Sequence, residues 1–279
     1  MAGGLQAGES GGGKMPKRNA NAPREWFLGA CAVLALLPSG PAGAGRPRAE
    51  GGGTNPPTDQ RRILLLTGED YPGHKWRETA PVLRQQLARD ARQRIDLVKD
   101  LTFLRTPGLH DYRAVVMHFK NYDPRVPGPE GQANLERFVR EGGGLVLVHF
   151  ACGAFQEWPE FVKLAGRVWN PKLRAHDPRG RFRVELLDTG HPITRGLGSF
   201  ETTDELYTCL DGSVPITVLA ESQSKVDGKR YPMAFVLDYG RGRVFHCHRG
   251  HDVAAFLAEG VGELFRRGTA WAAGLSPVP

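Results

Sequence analysis

Short, uninterrupted apolar runs that alternate with helical segments constrain the fold of this chain more than any other feature. Residues Ile63–Leu66 and Leu145–Val148 are continuous hydrophobic stretches, a pattern typical of parallel strands that are buried on both faces. Between them, Trp76–Ala91 and Pro129–Glu141 carry apolar residues at helical spacing. Repeated alternation of strand and helix predicts right-handed βαβ units. We therefore expect an α/β fold with a doubly wound, mostly parallel sheet that is flanked by helices.

The pattern changes after Gly166, where apolar and polar residues begin to alternate. Phe182–Leu186 and Arg243–His248 alternate in this way, and Val214–Leu219 is a further candidate strand. Alternation of this kind is typical of half-exposed strands joined by turns. Val253–Ala273 then predicts a closing helix. We expect the C-terminal half to add antiparallel strands to the sheet.

The N-terminal region predicts export rather than a folded domain. A basic stretch precedes the apolar run Trp26–Leu37, and Ala42–Ala44 offers the small residues that a signal peptidase needs. We predict an N-terminal extension with a signal peptide over 1–44, a disordered linker over 45–60 and one α/β domain over 61–279. The apolar run is too short for a comfortable membrane span, so the mature protein is expected in the periplasm or outside the cell. An uncleaved N-terminal anchor is the alternative.

The formal charge of +7 does not indicate a nucleic-acid partner. Basic residues are interleaved with acidic ones, and the sequence has no basic stripe with interspersed aromatic residues. Cys152, Cys209 and Cys247 are too few for a disulfide framework, and their spacing fits no zinc motif. The composition therefore favours a small-molecule partner and leaves the oligomeric state open.

The loop after the first predicted strand carries three residues that suit a sugar site. Glu69 and His74 offer a carboxylate and an imidazole for acid/base chemistry, and Trp76 offers a flat apolar surface for a sugar ring. Ligands of α/β sheets bind outside the carboxyl ends of the strands, which is where this loop lies. In the alternative interpretation His74 only starts the helix and Trp76 belongs to the core.

His149 and Cys152 follow the central strand, where a nucleophile would lie in a sharp strand-to-helix turn. Cys152 could act only if a nearby base stabilised its thiolate, and a small buried cysteine is the commoner case. We favour burial for Cys152 and retain His149 as a site residue. His118, at the end of the third predicted strand, lies at the same edge.

Two acids stand together further along the chain. Adjacent side chains in extended backbone point to opposite faces, so at most one of Asp204 and Glu205 is expected to face a pocket. Glu205 and Tyr207 share a face if the segment is extended. A solvated loop is the alternative.

Three histidines stand close together near the C-terminus. His246 and His248 project from one face of a predicted strand, and His251 lies in the turn before the last helix. Imidazole suits zinc, copper or iron, but the spacing lacks the helical pair of a zinc protease. Acid/base chemistry or hydrogen bonding to sugar is favoured. No cofactor is predicted, and a divalent metal is the minor alternative.

Taken in order, these segments resemble the ThuA-like (trehalose utilisation) family, whose fold is that of the class I glutamine amidotransferases and is flavodoxin-like. The matching motifs are Thr67-Gly68 with His74 and Trp76, Glu141–Gly144 leading to His149, Ala165-Gly166 with His176, Gly190–Leu197, Asp204–Tyr207, Tyr231–Phe235, Gly240–Val244 and Gly250-His251. The resemblance extends from Arg61 to Gly274. It implies a role in carbohydrate metabolism, in particular with disaccharides and their 3-keto derivatives.

The chain differs from the class I glutamine amidotransferases in the turn where their nucleophile lies. Their turn after the central strand has the pattern Gly-x-Cys-x-Gly. Aligning Gly153 with the last glycine places Ala151 at the nucleophile and Cys152 one residue late. No His-x-Glu follows to complete a triad, so glutamine hydrolysis is not expected.

The leading hypothesis is an exported sugar-active enzyme. A base that removes the acidic proton beside a keto-sugar carbonyl gives elimination or isomerisation without a covalent nucleophile. A non-catalytic sugar- or partner-binding module and a metal-dependent hydrolase are the alternatives. The predicted catalytic residues are His149, Glu205, His74 and His251, and the predicted substrate-binding residues are Glu69, Trp76, His176, Asp204 and Tyr207.

Overall fold

The computed structural model describes residues 60–187 and 190–278. The predicted extension, signal peptide and linker lie outside the described residues, apart from Gln60. No helix in the described ranges is long and apolar enough to cross a membrane. The first strand begins at Arg61, the residue where the sequence predicts the domain to start.

Within the described residues, nine strands form one mixed sheet in the spatial order β2-β1-β3-β4-β9-β8-β7-β5-β6. The strands are β1 (Arg61–Leu66), β2 (Gln93–Val98), β3 (Ala114–Met117), β4 (Gly144–Val148), β5 (Gly180–Leu186), β6 (Phe200–Asp204), β7 (Thr217–Gln223), β8 (Arg230–Tyr239) and β9 (Gly242–Cys247). The candidate strand Val214–Leu219 in fact starts at Thr217, because Pro215 has no backbone N–H to donate to a neighbouring strand.

The sheet is mixed, not mostly parallel as the sequence predicts. Strands β2, β1, β3, β4 and β9 are parallel, whereas the four pairings from β9 to β6 are antiparallel. The turn at Gly240 joins β8 directly to β9, and such a short turn can connect only antiparallel neighbours. The predicted antiparallel addition is confirmed, and it makes up half of the sheet's pairings.

Helices cover both faces of the sheet. They are α1 (Trp76–Leu87), α2 (Gly128–Arg140), α3 (Phe161–Ala165), α4 (Val253–Leu257) and α5 (Glu259–Ala272). The helix predicted over Trp76–Ala91 ends four residues early, before the turn that leads into β2. The closing helix is divided, because the extended backbone of Ala258 (φ −61°, ψ 122°) separates α4 from α5.

The first strand shows why its apolar run is uninterrupted. Ile63 and Leu65 face the core that includes side chains of α1 and α5, while Leu64 and Leu66 face the core that includes α2 and α3. All four side chains are fully buried. Burial of each such side chain stabilises the fold by roughly 1.5–3 kcal/mol, so neither face of the strand tolerates a polar residue.

The carboxyl ends of the strands position the polar residues that matter below. The loops after β1, β4 and β9 leave from the same edge, since these strands are parallel. Following the pairings outward from β9, β6 runs in the same direction as β4. Residues after β6 therefore leave the sheet at this edge as well.

Candidate functional site

Four side chains converge at the carboxyl edge of the sheet: His74, His149, Glu205 and His251. One nitrogen or oxygen atom from each lies within 4.8 Å of the others. The four residues come from the loops after β1, β4, β6 and β9, so the fold brings together positions that are far apart in sequence. They are the residues that the sequence nominates as catalytic, and we call them the His/Glu cluster.

His149 is held at the base of the cluster by a sharp turn directly after β4. Its backbone has φ 47°, a left-handed conformation that costs a non-glycine residue on the order of 1 kcal/mol. The fully buried ring donates from Nδ1 to the carbonyl oxygen of His248 at 3.0 Å. This bond directs Nε2 towards the Glu205 carboxylate, 3.4 Å away.

Glu205 lies between two imidazoles. Its Oε2 is 3.4 Å from His149 Nε2 and 3.2 Å from His251 Nδ1. Burial raises the pKa of Glu205, but its contacts with His149 and His251 outweigh burial and hold that pKa well below its usual range. The contact with Glu205 in turn raises the pKa of His251. The cluster therefore contains an ionised carboxylate.

His74 closes the cluster from the loop before α1. Its ring stacks on Phe150 with centroids 4.2 Å apart. It packs edge-to-face with His149 and His251, with centroids 5.1 Å apart in each pair. Burial, followed by the neighbouring imidazoles, lowers the pKa of His74 to about 2. Both ring nitrogens are buried and have no hydrogen-bond partner among the described residues.

Asp204 fixes the backbone around the cluster. Its carboxylate accepts the N–H groups of Glu205 and Gly250 at 2.8 Å each and that of His251 at 3.3 Å. The side chain is fully buried, so the prediction that Asp204 contacts substrate is replaced by a positioning role. The adjacent acids do diverge, as their sequence positions predict.

Arg249 is a functional residue that sequence reasoning missed. Its guanidinium is fully buried, lies 3.8 Å from Asp204 and donates to the Glu205 carbonyl oxygen at 2.9 Å. It also covers the ring of Phe182 at 4.7 Å. The available signal was a charged residue two positions after the apolar strand β9, where only a specific partner makes burial tolerable.

His176 and Tyr207 form the next layer. His176 Nε2 is 3.7 Å from Glu205 Oε1, and its Nδ1 hydrogen bonds to the Asp177 carbonyl oxygen at 2.8 Å. The side chain is 31% exposed, more than those of His149, Glu205 and His251. Tyr207 is buried and packs edge-to-face against His149, with ring centroids 4.7 Å apart. Burial raises the pKa of its hydroxyl well above the usual value.

Glu69 and Trp76 are not brought into the cluster. Glu69 accepts the backbone N–H of Tyr122 at 3.1 Å, and burial raises its pKa to about 7. Trp76 is only 6% exposed and its indole donates to Asp70 at 2.8 Å, so little of its ring is open to a sugar.

The exposed aromatic surface at this edge consists instead of two tyrosines. Tyr71 and Tyr122 stack with centroids 4.7 Å apart and are 43% and 39% exposed. The Tyr71 ring also lies 5.5 Å from that of His74. Pairing of these rings depends on two loops meeting, which no local pattern predicts.

The remaining predicted groups lie apart from the cluster. Cys152 is fully buried, and burial raises the pKa of its thiol to about 12. The three cysteines of the described ranges are free thiols. His246 and His248 bond through Nδ1 to the carbonyl oxygens of Ala165 and Pro232 at 2.9 Å each, in buried surroundings. His118 is buried between the hydroxyls of two threonines, not exposed at the edge.

A cleft of about 340 Å³ opens beside His74. Its lining includes Tyr71 and Trp76 and is otherwise formed by the same loop and the start of α1. Larger clefts of about 430 and 570 Å³ lie elsewhere and contain no member of the cluster. Of these three clefts, the one beside His74 is the one lined by a member of the cluster.

The mixed sheet, its two helical layers and the cluster at its carboxyl edge define the class of this protein as an α/β domain with a polar edge site. Residues 62–272 match the family model described as ThuA, trehalose utilisation. The chain therefore belongs to this family, which confirms the resemblance carried by its ordered motifs. No curated protein sequence matches the chain significantly.

Solved structures agree with this membership. A ThuA-like protein from Parabacteroides merdae is 26% identical, with a TM-score of 0.69 over 79% of this chain and 92% of the other. One from Bacteroides uniformis is 20% identical, with a TM-score of 0.63 over 77% and 91%. A β-galactosidase from Bacillus circulans shares the fold alone, at 14% identity and a TM-score of 0.53, over 78% of this chain and 32% of that longer one.

Proposed function

We propose that this protein is a carbohydrate-active enzyme that transfers protons beside the carbonyl group of a keto disaccharide or related glycoside. The observation that carries the proposal is the convergence of three imidazoles and an ionised carboxylate at one sheet edge. Such groups bind hydroxyl and carbonyl oxygens and move protons. Membership of a trehalose-utilisation family supports a sugar as the substrate class.

The reaction we propose is elimination or isomerisation rather than displacement by the enzyme. Covalent catalysis at this edge would require an accessible activated nucleophile, and the Cys152 thiol is buried with a raised pKa. For a 3-keto glycoside, a base removes the hydrogen at C2. The C–H electron pair forms the C1–C2 double bond, and the glycosidic oxygen leaves C1 with a proton from a general acid.

The roles follow from contacts. His176 bonds through Nδ1 to a carbonyl oxygen, which can only accept, so Nδ1 carries a hydrogen and, in the neutral ring, Nε2 presents a lone pair. We assign Nε2 of His176 as the base, because it adjoins Glu205 and still reaches solvent. The His/Glu cluster binds the keto oxygen and the neighbouring hydroxyls. The stacked Tyr71 and Tyr122 offer a ring platform beside the cleft.

The test is turnover of a 3-keto disaccharide by the wild type and by His149→Ala and Glu205→Ala. We expect release of the second sugar unit or an isomerised product, and at least a hundredfold loss in both variants. Full turnover in both variants would contradict the assignment. Thermal stabilisation of the wild type by the sugar without any product would indicate a binding module instead.

We also propose that the chain is exported, because residues 1–44 have the order of a signal peptide. Expression of the whole chain in a bacterial host, followed by intact-mass measurement of the exported protein, tests this. Loss of mass corresponding to cleavage near Ala44 is expected. Recovery of the uncleaved chain in the membrane fraction would support the N-terminal anchor.

A further inference from the structure

The strongest unassigned feature of the molecule is a set of polar atoms that face one another without partners. His149 bonds through Nδ1 to the His248 carbonyl oxygen, so Nδ1 carries the hydrogen and Nε2 of the neutral ring is a lone pair. This nitrogen is buried and has no hydrogen-bond partner in the described part of the chain. In the neutral ring this lone pair points at a carboxylate oxygen of Glu205, 3.4 Å away, and only a proton or a cation between the two atoms can satisfy both.

The same arrangement occurs on the other side of Glu205 and above it. His251 Nδ1 is buried 3.2 Å from the same oxygen without a well-formed hydrogen bond to any described residue. Both nitrogens of His74 are buried and unpartnered within the described ranges. Burying polar atoms unsatisfied is unfavourable, so their concentration at one point requires an explanation.

A shared proton does not provide that explanation. A proton between Glu205 and one imidazole satisfies that pair only. His74 is held against the face of Phe150 and its nitrogens have no described partner, whichever protonation state it adopts. An explanation has to reach all four side chains together.

The spacing of the atoms fits a cation at their centre. Zinc binds imidazole nitrogen and carboxylate oxygen at about 2.0–2.2 Å, which makes the edge of a tetrahedron of such ligands roughly 3.3–3.6 Å. The two edges that the structure gives are 3.4 Å and 3.2 Å, and all four donor atoms lie within 4.8 Å of one another. Ligand sets of this kind also suit five- or six-coordinate sites with open positions.

The surroundings of the four residues support the same interpretation. A metal-bound histidine typically donates its other ring N–H to a carbonyl or carboxylate, as His149 does to His248. Asp204 fixes the backbone of both Glu205 and His251 through their N–H groups. The ring of His149 and the backbone of Glu205 and His251 are therefore held by contacts within the protein.

We propose that His74, His149, Glu205 and His251 bind one divalent transition-metal cation, with Zn²⁺ as the first candidate. Three imidazoles with one carboxylate suit Zn²⁺, Fe²⁺ or Ni²⁺, whereas Mg²⁺ and Ca²⁺ prefer oxygen ligands throughout. The inference deepens the proposed function, since a cation at this point is a Lewis acid for a keto oxygen, but its support is the donor geometry alone. His176 stays outside the ligand set and keeps its role as the base.

The experiment uses the full chain, stripped with a chelator and titrated with Zn²⁺ by calorimetry and with Co²⁺ by visible absorption. We expect one equivalent of each metal, a visible Co²⁺ band that Zn²⁺ abolishes, and a higher melting temperature with Zn²⁺. Glu205→Gln and His251→Asn should each weaken Zn²⁺ binding at least tenfold. The matched control is His110→Asn, an exposed histidine bonded to Asn134, which should bind like the wild type.

Two results would overturn the proposal: less than half an equivalent of either metal on the wild type, or unchanged affinity in both ligand variants. If Glu205→Gln fails to fold, His251→Asn decides, because His251 lies in a loop. Metal binding is measured without sugar, so its outcome is separate from that of the turnover assay. If the protein binds one equivalent of Zn²⁺ but leaves keto disaccharides unchanged, the metal site is supported and the proposed function is contradicted.

Discussion

Asp204 accepts the backbone N–H of Gly250 at 2.8 Å, and this hydrogen bond helps to join the end of β6 to the loop that carries His251. The same carboxylate also accepts the N–H of Glu205. The two loops that supply Glu205 and His251 are thus held in register by one buried side chain. Arg249 lies beside Asp204 and balances its charge.

Replacement of Asp204 by Asn should therefore destabilise the protein and loosen the cluster together. The change leaves the Arg249 cation buried without its partner charge and turns an amide N–H towards backbone donors. We expect a loss of about 2–4 kcal/mol in the free energy of unfolding, measured by urea titration. Glu201→Gln, which removes an exposed pair with Arg181, is the control and should cost under about 1 kcal/mol. Equal losses in the two variants would contradict the positioning role.

His176→Asn should reduce catalysis without affecting the fold. If Nε2 is the base, its loss lowers kcat for the keto disaccharide by roughly 10²–10⁴-fold, with a smaller effect on KM. Because the side chain is 31% exposed, the melting temperature should stay close to that of the wild type. A variant with unchanged kcat would remove His176 from the mechanism.

Cys152→Ala should keep its activity. The thiol is buried and its pKa is raised to about 12, so it supplies no thiolate at neutral pH. We expect turnover within about twofold of the wild type and a stability loss of roughly 1–2 kcal/mol from the small cavity. Iodoacetamide should leave the folded wild type active. Loss of turnover in the alanine variant would indicate that Cys152 acts as a nucleophile and would contradict the proposed reaction.

Ionisation of Glu69 should lower the free energy of unfolding as the pH rises from about 4.5 to 7. Burial raises the pKa of Glu69 from 4.5 to about 7, so the folded protein holds this proton more tightly than the unfolded chain does. Stability from this group is complete below pH 4.5 and lost above pH 7. The wild type should lose on the order of 1 kcal/mol relative to Glu69→Gln between pH 5 and 8, after allowance for solvent screening. If the free energy of unfolding changed equally with pH in the two proteins, this would argue against a protonated Glu69.

Burial of His118 should lower the free energy of unfolding as the pH falls, the opposite of the effect of Glu69. Burial lowers the pKa of His118 to about 3, and its ring nitrogens face the hydroxyls of Thr67 and Thr79 at 3.1 and 3.2 Å. Below pH 6.5 His118 is protonated in the unfolded chain but stays neutral in the folded protein. The free energy of unfolding therefore falls as the pH drops. Between pH 6.5 and 5 the wild type should lose about 2 kcal/mol more than His118→Gln, measured by urea titration at each pH. An identical slope in both proteins would show that His118 is protonated in the fold.

The sequence predicts the parallel half of the sheet and the site at its edge because both depend on local patterns. A run such as Leu145–Val148 marks a doubly covered strand, and whatever follows it lies at the carboxyl edge. The pairing of β6 with the far side of the sheet is not a local property. For that reason the sequence does not predict the contact of Asp204 with Arg249. The stacking of Tyr71 on Tyr122 depends in the same way on the meeting of the loops after β1 and β3. The division of the last helix at Ala258 is set by tertiary packing that helical spacing does not encode.

The left-handed backbone of His149 also bears on how such domains diversify. The turn after β4 determines where a side chain is presented, above the middle of the sheet and within reach of three other loops. It does not determine which kind of side chain is presented there. An imidazole at that place makes the same scaffold a binder of oxygen atoms or cations, and a new chemistry then requires a change of side chains, while the path of the main chain stays the same.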